Sequence, residues 1–264
     1  MRLLLYIGIL LCGFSCTRNA PCLHPGDLLF QVGETSEMTG AITAATGKER
    51  QLNYSHVGIA VRSRGVDSVL EATSDGGVRV TALGDFLARS ARIDGRPAVT
   101  VMRLRDTTGV AAAIERARKF IGQPYDYSFR PDNGKMYCSE LVWESYLAPD
   151  GSRRFPARPM NFRAADGSLP RFWAELFAGL GEEIPQDIPG TNPNDMARDP
   201  QLKEVPLLLT WLSPKGQPDK GSQPAWLRKD CGKQDGSGGN SGRITLRAGK
   251  RRNGFRKRTG GGGG

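Results

Sequence analysis

Histidine is almost missing from this chain: only His24 and His56 occur among 264 residues. With so few imidazoles, no C-x-x-C pair and no clustered carboxylate motif, the sequence offers no first shell for a metal ion. No nucleotide-binding glycine loop occurs either, so no cofactor is expected. Cysteine is scarce too, at Cys12, Cys16, Cys22, Cys138 and Cys231, which is too few for a dense disulfide framework. The apolar run Leu3 to Leu11 is too short to act as a stop-transfer helix. No internal repeat is present.

Positive charge, by contrast, is abundant, with a net +10 and a pI near 9.6. Such a balance raises nucleic acid or an anionic membrane as a partner. Much of the excess, however, lies between Gly242 and Gly264, which holds arginines and lysines and no acid, whereas Cys22 to Val205 is nearer balance. The folded part lacks the interleaved aromatic and basic residues of a nucleic-acid surface, so no specific nucleic acid is expected. From Ser213 onward Gly, Ser, Lys and Arg dominate, a composition that cannot bury enough apolar surface to offset chain entropy. Residues 206–264 are therefore read as a disordered basic tail.

At the other end, Arg2, the apolar run and the small residues Gly13 and Ser15 read as a targeting signal over residues 1–20. Cys16 after Ser15 suggests lipoprotein processing, with membrane attachment through lipidation of Cys16; ordinary secretion and an uncleaved anchor are the alternatives. Each of them places the folded part outside the cytoplasm, in the cell envelope. That leaves 21–205 as one globular domain.

Within it, His24-Pro25-Gly26-Asp27 is a turn signal and Leu28-Leu29-Phe30 a short strand. Thr35 to Ala45 has helical composition. Ser55 to Val61 reads as a strand with Ser68 to Ala72 and Gly77 to Val80 as antiparallel neighbours, and Ala98 to Leu104 as a later one. Asp85 to Ser90 is one or two helical turns. A longer helix is expected over Gly109 to Ile121, where Val110, Ile114, Ala117 and Ile121 form one stripe, capped by Gly122 and stopped by Pro124. A second helix should span Tyr137 to Leu147, and a third Leu169 to Leu180. After Pro185 the chain turns loop-like.

Thiol hydrolysis needs a cysteine held as thiolate, a histidine to shuttle its proton and a polar group to orient the imidazole. Cys138 falls in the first turn of its helix, where unpaired backbone N–H groups favour negative charge and can face an oxyanion. A lone cysteine is otherwise most often a small buried hydrophobe. Of the two histidines His56, at the start of a strand, is the better base, although histidines at strand starts are commonly structural. Glu71, on the strand paired with that of His56, is the candidate for orienting it; a solvent-facing strand glutamate is the plain alternative.

The segments Gly26-Asp27-Leu28-Leu29-Phe30, Ser55-His56-Val57-Gly58-Ile59, Leu70-Glu71-Ala72, Gly122-Gln123-Pro124-Tyr125-Asp126 and Tyr137-Cys138-Ser139-Glu140-Leu141-Val142, in this order, resemble the YiiX-like family. That family is a circularly permuted branch of the NlpC-type, papain-like cysteine peptidases, and histidine before cysteine is the mark of the permutation. The resemblance runs from Gly26 to Leu202, including Gly190-Thr191-Asn192-Pro193. It implies an α+β papain-like fold, an antiparallel sheet packed against helices. It further implies Cys138 as nucleophile, His56 as base, Glu71 as the residue orienting His56, and Tyr125 as a residue shaping the site or its oxyanion pocket. Tyr125 could instead pack after the helix stop, with Tyr127 or Tyr137 in its role. The expected reaction is acyl transfer on a cell-wall peptide amide. A lipid substrate, hydrolysed or used as acyl donor, is the alternative, and a non-catalytic binding module the rival class.

Overall fold

The computed structural model describes residues 22–48 and 51–206. The readings made for residues 1–20 and for the tail beyond Pro206, with Cys12, Cys16 and Cys231, lie outside them. Strand β1 (Leu28–Gln31) and helix α1 (Glu37–Thr46) come first, followed by strands β2 (His56–Ser63), β3 (Val66–Thr73) and β4 (Gly77–Ala82) and helix α2 (Leu83–Ala88). A short hairpin of β5 (Arg92–Ile93) and β6 (Arg96–Pro97) leads into β7 (Val99–Leu104) and helices α3 (Val110–Arg118) and α4 (Cys138–Ser145). The remainder is β8 (Arg158–Pro159), α5 (Arg171–Leu180), β9 (Pro189–Gly190), α6 (Pro193–Ala197) and β10 (Leu202–Val205).

Six strands form one antiparallel sheet in the order β10-β7-β1-β2-β3-β4, so the fold is α+β as expected. Central β1 is buried along its whole length because both faces of the sheet are covered. Alternation sends Leu28 and Phe30 into the cluster holding Leu141 and Val142 of α4, and Leu29 into the one holding Leu83, Phe86 and Leu87 of α2. A third cluster, dominated by aromatics, joins Ala41 of α1 to Trp173 and Phe177 of α5 through Phe129, Tyr137 and Phe162. The β2–β3 hairpin turns at Arg64 and Gly65, both with positive φ, the backbone that matches the twist of paired strands. Among the described residues no helix is long and apolar enough to cross a membrane.

Three sequence expectations are corrected. Helix α3 ends at Arg118 with Lys119 as its cap, so neither Ile121, which is exposed, nor Gly122 belongs to it. The chain must turn there to dock on β4: Gly122 N donates to Val78 O and Val78 N to Gln123 O, both at 2.9 Å. That approach requires glycine at position 77, where a Cβ would stand 2.1 Å from the Gln123 carbonyl oxygen. Helix α4 stops at Ser145, because Tyr146 is extended and its hydroxyl donates to Gly26 O at 2.9 Å. The stretch after Pro185 is not all loop, since it contains α6 and β10, and β10 extends the main sheet beside β7.

The turn before β1 is held by Asp27, 1% exposed, which takes Arg103 Nε at 2.6 Å on one oxygen and Nη2 at 2.8 Å on the other. Removing one partner of such a buried pair strands the other charge. Asp27→Ala is therefore expected to lower the unfolding free energy by about 3 kcal/mol in chemical denaturation. A loss below about 1 kcal/mol would place the pair in the class of surface bridges.

Candidate active site

Cys138 is the first residue of α4, a free thiol with only 5% of its surface exposed. Tyr137 N, just before the helix, donates to Glu140 Oε2 at 3.2 Å, and Leu141 N is the first to bond back, to Tyr137 O. The N–H groups of Cys138, Ser139 and Glu140 consequently have no acceptor within the helix and gather partial positive charge beside the thiol. Helix α4 is clamped to β2 and β3, which fixes the cysteine against the sheet.

His56 and Glu71 meet because of strand register. Pairing Ile59 with Leu70 sets Gly58 opposite Glu71, which puts His56 on the same face, one diagonal step away, within reach of a long side chain. His56 Nε2 lies 2.7 Å from Glu71 Oε2, leaving Nδ1 as the nitrogen for Cys138. The ring also rests against Phe86, centroid to centroid 5.8 Å. His24 takes no part: its Nε2 is 3.1 Å from Cys22 Sγ, in the opening loop.

Glu71 has no exposed surface, so its charge needs partners on both oxygens. The second is Arg89, whose Nη2 is 2.5 Å from Oε1. Sequence reasoning did not find Arg89, and nothing in a surface-like arginine eighteen positions downstream of Glu71 signals that α2 will return it to the same carboxylate. Burial works against both charged forms. Hydrogen bonds to Cys138 and Glu71, with their negative charge, outweigh it for His56 and raise its pKa to about 10. The hydrogen bond and charge of His56, with Arg89 adding to them, pull Glu71 down to about 2. His56 is thus held as imidazolium between a carboxylate and the thiol, the state that favours a neighbouring thiolate.

Tyr125 borders the same pocket as Cys138 and is brought there by a bridge to Met136. Burial, then the proximity of Cys138, raises its pKa well above the usual value, so it stays protonated and can donate. The structure separates it from its two rivals. Tyr127 OH donates to Ser74 O at 2.7 Å, and Tyr137 OH accepts from Thr191 N at 3.3 Å. Ile42, Phe129, Met160, Phe162 and Trp173 make much of the pocket wall apolar, with Ser55, Asn161 and Asn192 among the polar residues beside them. Ser139 Oγ, a buried hydroxyl in that wall, has no hydrogen-bond partner among the described residues, while Thr191 lies against the Tyr137 hydroxyl. Thr191 belongs to the Gly-Thr-Asn-Pro segment, noticed in the sequence without a role.

The family described as permuted papain-like amidase enzyme, YaeF/YiiX, C92 family, matches residues 22–206. The chain is 31% identical over 193 residues to "Uncharacterized protein YiiX" of Escherichia coli strain K12, covering 70% of this chain and 89% of that protein. A solved structure, the crystal structure of metalloprotein yiiX from Escherichia coli O157:H7, has a TM-score of 0.55 and 29% identity over 69% of this chain and 95% of its own. That neighbour is described as a metalloprotein; here, among the described residues, no group of three or more His, Cys, Asp or Glu is arranged to hold a metal ion. Both oxygens of Glu71 are already taken, so the residues at this site do not fit a resident metal.

The raised pKa of His56 makes a stability contribution that is complete below its ordinary value of 6.5 and is lost as pH climbs toward about 10. The depressed Glu71 makes one that is complete above 4.5 and is lost as pH falls toward about 2. With two histidines in the chain, NMR titration can follow His56 directly. It should titrate far above its ordinary value, higher still in Arg89→Met, which removes a positive charge, and lower in Glu71→Gln. Titration of His56 at the ordinary value in the parent protein would rule out the ion-pair arrangement.

Proposed function

The chain belongs to the permuted papain-like amidase family and is a cysteine hydrolase by that membership, and from there we propose that it cleaves an amide bond with Cys138, His56 and Glu71 as its triad. The observation that carries the reading is the buried relay in which Glu71 holds His56 at 2.7 Å while the ring faces a thiol at a helix N-terminus. In the first step Cys138 Sγ attacks the carbonyl carbon and the oxyanion forms against the first-turn N–H groups, with Tyr125 O–H as a second donor. The imidazolium of His56 then protonates the leaving nitrogen as the C–N bond breaks, leaving a thioester and a neutral ring. Water, deprotonated by His56, attacks the thioester, the C–S bond breaks and the acid is released. Glu71 remains ionised throughout and fixes which ring nitrogen faces the sulfur.

For a substrate, an amide in cell-wall peptides outside the cytoplasm fits the targeting signal read in residues 1–20, with attachment through Cys16. A second reading is favoured by one observation, the apolar wall of the pocket beside Cys138, which suits the acyl chain of a lipid. A non-catalytic binding role would not call for a charged relay buried behind the pocket, because an ion pair of that kind is costly to assemble and unnecessary for holding a ligand.

Incubation of the purified protein, Cys138→Ala and His56→Ala with peptidoglycan fragments and with phospholipid, followed by mass spectrometry, separates these readings. Release of a cell-wall peptide by the parent and by neither variant is the expected result. Fatty acid release or acyl transfer with the same dependence would shift the substrate to lipid. Product release that persists in Cys138→Ala would remove the triad from the mechanism. In the same assay Tyr125→Phe should lower kcat by roughly a hundredfold to a thousandfold, the scale of one lost oxyanion donor.

A further inference from the structure

Helix α2 ends beside His56 and Glu71, and its end is held by a residue that belongs to neither the triad nor the pocket. The helix is six residues long and no side chain caps its start. So short a helix leaves its last carbonyls without partners of its own. Phe86 O receives Arg89 N only at 3.3 Å, and its close partner comes from another element: Gln31 Nε2 donates to it at 2.7 Å. Gln31 is the last residue of β1 and 3% exposed. A buried amide bonded to a carbonyl 55 positions away ties strand to helix, and breaking the bond leaves that carbonyl unsatisfied.

What flanks this tie gives it a further consequence. In the β1–β2 register Gln31 stands directly opposite His56, so the two side chains leave the sheet on the same face. Phe86, whose carbonyl Gln31 holds, lays its ring against His56, and three residues on Arg89 reaches the second oxygen of Glu71. The bond from Gln31 therefore lands on the turn that carries both of these contacts. Other bonds restrain Arg89 from its far side, where Glu34 N meets Arg89 O at 3.4 Å and Ala91 N donates to Val32 O at 2.8 Å. Loss of the Gln31 bond alone would loosen the arginine without freeing it. The charged or titratable groups around His56 are Glu71 on β3, Arg89 after α2 and Cys138 on α4, while Arg79 of β4 stands opposite Glu71 but pairs with Asp75. Gln31 adds no charge to this set and acts on it by placing one member.

We infer that Gln31 is a positioning residue for the catalytic pair: through the Phe86 carbonyl it holds the last turn of α2 so that Arg89 stays on Glu71 and the carboxylate stays shared between two cations. When that bond is lost the guanidinium backs away, and His56 feels the carboxylate's charge more fully. The inference rests on the reading of His56 as the base for its catalytic meaning, but its test reads the imidazole directly.

The test follows the His56 titration by NMR in the full chain. Gln31→Met, which keeps the length of the side chain and removes its donor, should move the midpoint upward by about half a pH unit, the lower end of couplings within one hydrogen-bonded network. Arg89→Met should move it further in the same direction. Gln31→Met added to Arg89→Met should move it no more, because the arginine through which Gln31 acts is gone. Gln31→Asn, whose amide falls short of the Phe86 carbonyl, should shift the midpoint upward as well and takes the place of Gln31→Met if that variant does not fold. Asp27→Ala is the control for a purely structural role, since it weakens the fold away from His56 and should leave the midpoint where it is. A Gln31 variant that loses stability with the midpoint unmoved or lowered, or a shift that adds in full to that of Arg89→Met, would overturn the inference. Failure of the catalytic reading shows elsewhere, as product release that persists in His56→Ala, and leaves these titrations unchanged.

Discussion

A carboxylate with no solvent contact, Glu71, sits on β3, one strand in from the edge of the sheet, and is charged. Isolated in that position it would cost several kcal/mol, and the protein offsets this by bringing a cation to each oxygen, His56 from β2 and Arg89 from the end of α2. Much of the architecture follows from that requirement. The β2–β3 register must hold, because a slip of one residue would turn Glu71 to the opposite face from His56. Helix α2 must pack on the β3–β4 end of the sheet to deliver Arg89, and does so through Leu83, Phe86 and Leu87.

The same ion pair connects the core to the chemistry. Glu71 raises the proton affinity of His56, and His56 faces the thiol of a helix whose free N–H groups already favour negative charge. Arg89 moderates the relay by sharing the carboxylate. Charge thus alternates in sign from half-exposed Arg89 through Glu71 to His56, which faces the buried sulfur, and each of these groups is held by a different element. Beyond the sulfur the surroundings change abruptly to aromatic side chains, so that ionic machinery lies behind the reacting atom and apolar surface in front of it. Such a division leaves the ion pair screened from water, where its interactions are strongest.

What could be read from the sequence was mostly local. Strands β1 to β4 announced themselves through apolar runs and turn residues, and the first turn of α4 through its periodicity. Where neighbours decide the conformation, the reading failed. Leu202-Lys203-Glu204-Val205 carries two charges in four residues and looks like loop, yet it is a strand because β7 offers an open edge and both Leu202 and Val205 find buried surface. Ile121 continued the stripe of α3 on paper, but docking of Gly122 and Gln123 on β4 ends the helix first.

By itself the sequence determined the order of the chemical groups and their local settings: histidine on a strand, glutamate on its hairpin partner, cysteine at a helix start. These are short-range facts, set by backbone propensity and by a turn that brings adjacent strands together. The second partner of Glu71 and the separation of Tyr125 from Tyr127 and Tyr137 were decided only by tertiary structure. Each depends on residues far apart in the chain whose meeting is governed by packing of the whole core, and no local pattern encodes that.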